Sequence, residues 1–87
     1  MNTYAIIYQH GAKKELKRLD RRVQRIIRQA IDSLAIEPKP SRSKQLEDSP
    51  YRSLRVDRYR VIYAIENEEI TVYVLRIRHR KDAYKRF

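Results

Sequence analysis

The apolar residues of this chain change their period twice, and those changes limit the folds open to it. Between Ala12 and Leu34 they recur every three or four positions, as Ala12, Leu16, Leu19, Val23, Ile26, Ile27, Ala30, Ile31 and Leu34, with Lys and Arg between them. That spacing gathers them on one side of an amphipathic helix. After Pro50 the pattern becomes short runs rich in Val, Ile, Tyr and Leu at residues 51–56, 59–66 and 70–78, which read as strands. A further run, Tyr4, Ala5, Ile6, Ile7 and Tyr8, precedes the helical region. The expected order is therefore β-α-α-β-β-β, an α+β fold.

Punctuation in the sequence refines this. Asp20 lies mid-run with N-capping chemistry, so the helical region divides at Leu19 and Asp20 into two helices. Pro38 and Pro40 end it, and the polar stretch from Ser41 to Pro50 reads as a surface loop. Only Asp57 and Arg58, and then Asn67, Glu68 and Glu69, separate the last three runs. Connections this short imply antiparallel hairpins. The expectation is a small antiparallel sheet with both helices packed on one face and a short basic C-terminal segment. With 87 residues, the chain forms one domain spanning 1–87.

Charge narrows the partners. Lys and Arg number 21 against 11 Asp and Glu, a net +10, and a field of that strength on a small body attracts polyanions. Nucleic acid leads, ahead of an anionic membrane or an acidic protein; the bland reading is charge kept for solubility alone. There is no cysteine, which excludes a disulfide framework and a thiolate metal site. His10 and His79 have no carboxylates spaced with them as ligands, and the single glycine, Gly11, excludes a phosphate-binding glycine loop. No metal and no cofactor are expected. No apolar run approaches the ~18 residues of a membrane span, and the opening residues do not read as a signal peptide. A cytoplasmic location with no membrane partner is expected.

The last twelve residues hold the densest chemistry: Arg76, Arg78, Arg80, Lys81, Lys85 and Arg86, with His79 and Tyr84, against Asp82 alone. Alternation puts Arg55 opposite Leu54 and Val56, separates Arg60 from Tyr59 and Val61, and sets Arg76 and Arg78 on one face. Guanidiniums gathered by neighbouring strands make a phosphate-binding surface; the plainer reading is a solvated polar sheet face. Metal-free RNA cleavage needs a base for a 2′-hydroxyl, charge on the phosphorane and a proton for the leaving oxygen. His79 suits either proton transfer. Tyr84 suits the base if neighbouring guanidiniums favour its phenolate, and Arg80 suits charge stabilisation.

Two stretches carry a family resemblance. LRVDRYRVIY at 54–63 resembles the "LRVGDYRVIY" strand pair of the RelE/ParE superfamily of toxin-antitoxin toxins, and VLRIRHRKDAY at 74–84 resembles its closing "VLRVGHRRDVY". With the opening strand and basic helices in the same order, the likeness covers nearly the whole chain. It implies a type II toxin that enters the ribosomal A site and cleaves messenger RNA there. By motif, Arg60 and Arg80 would contact the scissile phosphate and Tyr84 would stack on a base or act as general base. His79 remains a candidate for proton transfer. Arg52 and Arg55 occupy second-strand positions that are basic in the family, and with Arg76, Arg78, Lys81 and Lys85 they complete the expected RNA-binding set. The implied partners are the ribosome with its mRNA and an acidic antitoxin that folds on binding. The chain departs from the pattern where lysines are usual in the second strand, and where Arg78 stands in place of glycine. The alternatives are a ParE-like toxin acting on DNA gyrase and a non-catalytic basic nucleic-acid-binding module.

Overall fold

The structure, a computed structural model, describes residues 3–82. Its elements are β1 (Ala5–Tyr8), α1 (His10–Lys17), α2 (Arg21–Ser33), β2 (Ser43–Gln45), β3 (Tyr51–Val56), β4 (Tyr59–Glu66) and β5 (Thr71–His79). The α+β architecture and the two helices are as the sequence implies. Asp20 is extended and its Oδ1 accepts the Val23 N–H at 3.0 Å, a cap that starts α2 and separates it from α1.

The sheet differs from expectation in two respects. Its order is β1-β5-β4-β3-β2, and β1 runs parallel to β5, from Ala5 opposite Thr71 to Tyr8 opposite Val74. The sheet is thus mixed, because short connections dictate hairpins only for β3 to β5; β1 meets the last strand through a contact that leaves no local signal. The second difference is β2, read from sequence as loop. Its three residues pair antiparallel with Leu54, Ser53 and Arg52 through their backbones, so no apolar run announces the strand.

One face of the sheet is dry. Leu54 and Val56 of β3, Val61 and Tyr63 of β4, and Val72, Val74 and Ile77 of β5 pack with Ala12, Leu16, Ile27, Ala30, Ile31 and Leu34 of the helical layer. The Tyr63 ring is fully buried, and its hydroxyl donates to the Pro38 carbonyl at 2.7 Å. That bond ties the proline loop to the core.

Register decides which side chains reach the other face. On β4 and β5, Val61 pairs with Ile77 and Ile62 with Arg76, but Tyr63 pairs with Val74, so Leu75 is an extra residue. This bulge reverses the alternation of β5. Val72 and Val74 point to the helices before it and Ile77 after it, which sends Arg76 and Arg78 to the open face. The β3–β4 turn depends on Asp57 at φ 54°, where the resembling motif has glycine; aspartate is among the side chains that tolerate this left-handed region. Arg78, by contrast, sits in strand with no positive φ, so its position makes no demand for glycine. Among the described residues, no helix is long and apolar enough to cross a membrane.

Ile31 is fully buried where α2 meets the sheet, so Ile31→Ala is expected to cost about 2–5 kcal/mol. Asp20→Ala, which removes only the cap, is expected to cost about 1 kcal/mol. Urea unfolding of the two variants checks both values and their order.

Candidate nucleic-acid interface

Four arginines line up across the open face. Arg55 pairs directly with Arg60, and Arg60 with Arg78; beyond them the Arg55 N–H donates at 3.1 Å to the carbonyl of Arg42, the residue before β2. Directly opposed residues have Cβ atoms about 4.5–5.5 Å apart. The row therefore crosses three strands at Arg55, Arg60 and Arg78, and Arg42 continues it from the turn just before β2. Lys44, opposite Ser53, adds a cation in the adjacent row. Arg42, Lys44, Arg55 and Arg60 line a shallow cleft of about 270 Å³ with Ser41 and Ser43, a volume that suits one phosphate group and not a drug-sized ligand.

Arg80 joins the same end of the sheet. Its N–H donates to the Arg58 carbonyl at 2.8 Å, which fixes the chain leaving β5 beside the β3–β4 turn. Arg80 and Lys81 are exposed there. Tyr84 and Lys85 lie outside the described residues.

Three predicted site residues stand apart from the row. Arg52 shares the parity of Leu54 and Val56 and so faces the helix side, where its Nη2 donates to Ser43 Oγ at 2.8 Å. His79 shares the parity of Ile77; its ring meets Tyr59 edge-on, with centroids 5.5 Å apart, and its Nδ1 lies 3.3 Å from the Lys81 N–H. Arg76 is on the open face but bends toward α1, with Nε and Nη2 donating to Glu15 Oε2 at 3.3 and 3.2 Å. Sequence reading missed Arg42 and Lys44, because their stretch looks like loop; the alternation Arg42, Ser43, Lys44 is the signal that was available. It also missed Glu15, which nothing local distinguishes from other helical acids.

Two tyrosines have displaced ionisation, and both move upward. Burial raises Tyr8, helped by Asp32. Tyr73 is raised by its hydrogen bond to Glu69. Neither is prepared to act as a base at neutral pH, since a base of this type needs its phenolate favoured.

Comparisons with known proteins identify the fold that carries these residues. The family model described as the ParE toxin of the type II toxin-antitoxin system parDE matches residues 6–84. The chain belongs to the RelE/ParE superfamily of type II toxins. The toxin is 31% identical over 85 residues to Toxin RelG of Mycobacterium tuberculosis, covering 95% of this chain and 98% of that protein. Among solved structures, the RelBE2 toxin-antitoxin complex of M. tuberculosis matches with a TM-score of 0.80 at 29% identity, over 94% of this chain and 97% of that one. The RelE-RelB complex of Pyrococcus horikoshii OT3 matches with a TM-score of 0.81 at 25% identity, over 93% and 99%. The matching family model carries the ParE name and these relatives carry Rel names, so superfamily membership is common ground.

An arginine row is a strained way to build a sheet, because like charges directly opposite destabilise the pairing on a scale of about 0.2–1 kcal/mol per pair. Arg60 faces Arg55 on one side and Arg78 on the other. Arg60→Gln is therefore expected to raise the thermal stability of the isolated toxin at low ionic strength, with a gain that shrinks as salt screens the row, while weakening RNA binding. Melting curves at two salt concentrations, beside RNA titrations, check both halves.

Proposed function

We infer that this toxin is a ribosome-dependent endoribonuclease that cleaves translated mRNA in the A site and so inhibits translation. The observation that carries the reading is the arginine row Arg42, Arg55, Arg60, Arg78 on an open sheet face, with Arg80 at its end. Guanidiniums suit the phosphorane of RNA cleavage because each presents a planar fork of donors and stays charged at neutral pH. In the proposed reaction the 2′-oxygen attacks the adjacent phosphorus and the bond to the 5′-oxygen breaks, leaving a 2′,3′-cyclic phosphate and a 5′-hydroxyl. Arg60 and Arg80 stabilise the charge gathering on the non-bridging oxygens. Arg55 and Arg78 hold the backbone on either side, and Arg42 and Lys44 extend the track toward β2. The 2′-hydroxyl loses its proton to Tyr84 in this reading, or to His79 reached from the far side of β5, and the 5′-oxygen takes up a proton from water as it leaves.

An antitoxin is the second partner. The similar M. tuberculosis and P. horikoshii proteins were solved as complexes of this kind, and an acidic segment that folds on binding would neutralise the row and cover it. The gyrase-directed reading draws on the name of the matching family model. It gives the aligned arginines no phosphodiester to hold within a ribosome-bound message, and we rank it second.

Arg80→Ala, alone or with Arg60→Ala, is expected to abolish growth inhibition while the fold persists; losing one charge-stabilising donor costs about 10²–10³ in rate. Tyr84→Phe is expected to slow cleavage while keeping an aromatic face worth ~1–3 kcal/mol per stacked base, and Tyr84→Ala to lose both. Primer extension on a translated message after induction checks these outcomes. Cuts in phase with codons support the ribonuclease, whereas intact message with blocked replication supports a gyrase toxin.

A further inference from the structure

We propose that Glu15 of α1 is a positioning residue for the arginine row, orienting the Arg78 guanidinium beside Arg60. The proposal rests on the ribonuclease reading of that row. β1 is too short to cover β5: its last rung is the Gln9 N–H donating to the Val74 carbonyl at 2.8 Å, and the chain then turns into α1. Past the Leu75 bulge, the edge of β5 needs another acceptor. Glu15 Oε1 supplies it, accepting the Ile77 N–H at 2.8 Å. A side chain thus continues a sheet edge where the backbone strand has ended.

The second oxygen of the same carboxylate meets the cations. Glu15 Oε2 lies 3.2 Å from Arg76 Nη2 and 3.6 Å from Arg78 Nε. The Arg76 guanidinium lies along the first turn of α1, with Nε and Nη1 each 3.6 Å from where a Cβ on Gly11 would stand. That places a cation near a helix N-terminus, an unfavourable site that the nearby carboxylate offsets. Arg78 is held at its Nε while its strand neighbour Arg60 presses on it with like charge. Because Ile77 and Arg78 are consecutive, one carboxylate fixes both the backbone from which Arg78 projects and the side on which its guanidinium rests. Glu15 touches no substrate in this account; it acts through Arg78.

The test is single-turnover cleavage of a translated mRNA by the full-length toxin on purified ribosomes, comparing wild type, Glu15→Gln and Asp32→Asn. Glutamine keeps the size and an acceptor for the Ile77 N–H but removes the charge. Asp32→Asn makes the same change in net charge at an exposed site on α2. Glu15→Gln is expected to lower the cleavage rate at saturating ribosome about tenfold with ribosome affinity equal or tighter, while Asp32→Asn keeps the wild-type rate. A Glu15→Gln protein that cuts at the wild-type rate, or an equal loss in Asp32→Asn, overturns the proposal. A second readout does not depend on cleavage: the Nε–H resonance of Arg78 and the hydrogen exchange of the Ile77 amide by NMR. The Arg78 signal should move in Glu15→Gln, which removes the carboxylate charge beside its Nε, and keep its wild-type position in Asp32→Asn, with the Ile77 amide protected in all three. An Arg78 signal unchanged in Glu15→Gln overturns the proposal. If wild type leaves the message intact, the ribonuclease reading fails by itself, and the NMR comparison still decides whether Glu15 orders Arg78.

Discussion

The pairing of β4 with β5 across the Leu75 bulge is the contact on which the rest of this toxin depends. Before the bulge, β5 buries Val72 and Val74; after it, Ile77. Regular alternation would have turned Ile77 outward and driven Arg76 and Arg78 into the helical layer, where a charge without a partner is costly. One extra residue keeps the core apolar along the whole strand and carries two arginines to the open face. β1 ends at Tyr8 opposite Val74, just before the bulge, so past it the edge of β5 is closed by α1 through Glu15.

A second consequence is the division of labour between the two sides of the sheet. The underside holds Leu54, Val56, Val61 and Tyr63 at almost no exposure, and burial of such side chains stabilises by roughly 1.5–3 kcal/mol each. Cross-strand repulsion among the arginines is smaller, about 0.2–1 kcal/mol per pair. The core therefore tolerates a row of like charges that an isolated hairpin would not. On the proposed function, a polyanion seated on the row, RNA or acidic protein, would offset that loss and stabilise the folded toxin by mass action.

Cations are not confined to that face. Lys13, Lys14, Lys17 and Arg18 of α1 and its C-terminal end, and Arg21, Arg22, Arg25 and Arg28 of α2, are all exposed on the helical layer. They surround the molecule with positive potential and raise its rate of encounter with a polyanion. Specific placement differs from this general attraction: only on the sheet do strands hold guanidiniums in fixed register. That distinction separates salt-sensitive association from the chemistry assigned to Arg60 and Arg80.

Much of the fold was legible in the chain because its signals are local. The three- and four-residue spacing from Ala12 to Leu34 specifies helices, Asp20 specifies where they part, and the short connections at Asp57 and Asn67 specify two hairpins, since each depends on residues near one another in sequence. Arg55, Arg60 and Arg78 could be assigned to polar strand faces for the same reason. Tertiary structure alone decided that these three share one row, that Arg42 and Lys44 extend their face, and that Arg52 and His79 look the other way. Register between strands is set by the summed packing of both faces and by a bulge that leaves no mark in composition. The parallel seat of β1 beside β5 and the reach of Glu15 to Ile77 are contacts between residues about sixty or more positions apart. Contacts of that range exist only once the chain has closed on its core, so no pattern of neighbouring residues could have announced them.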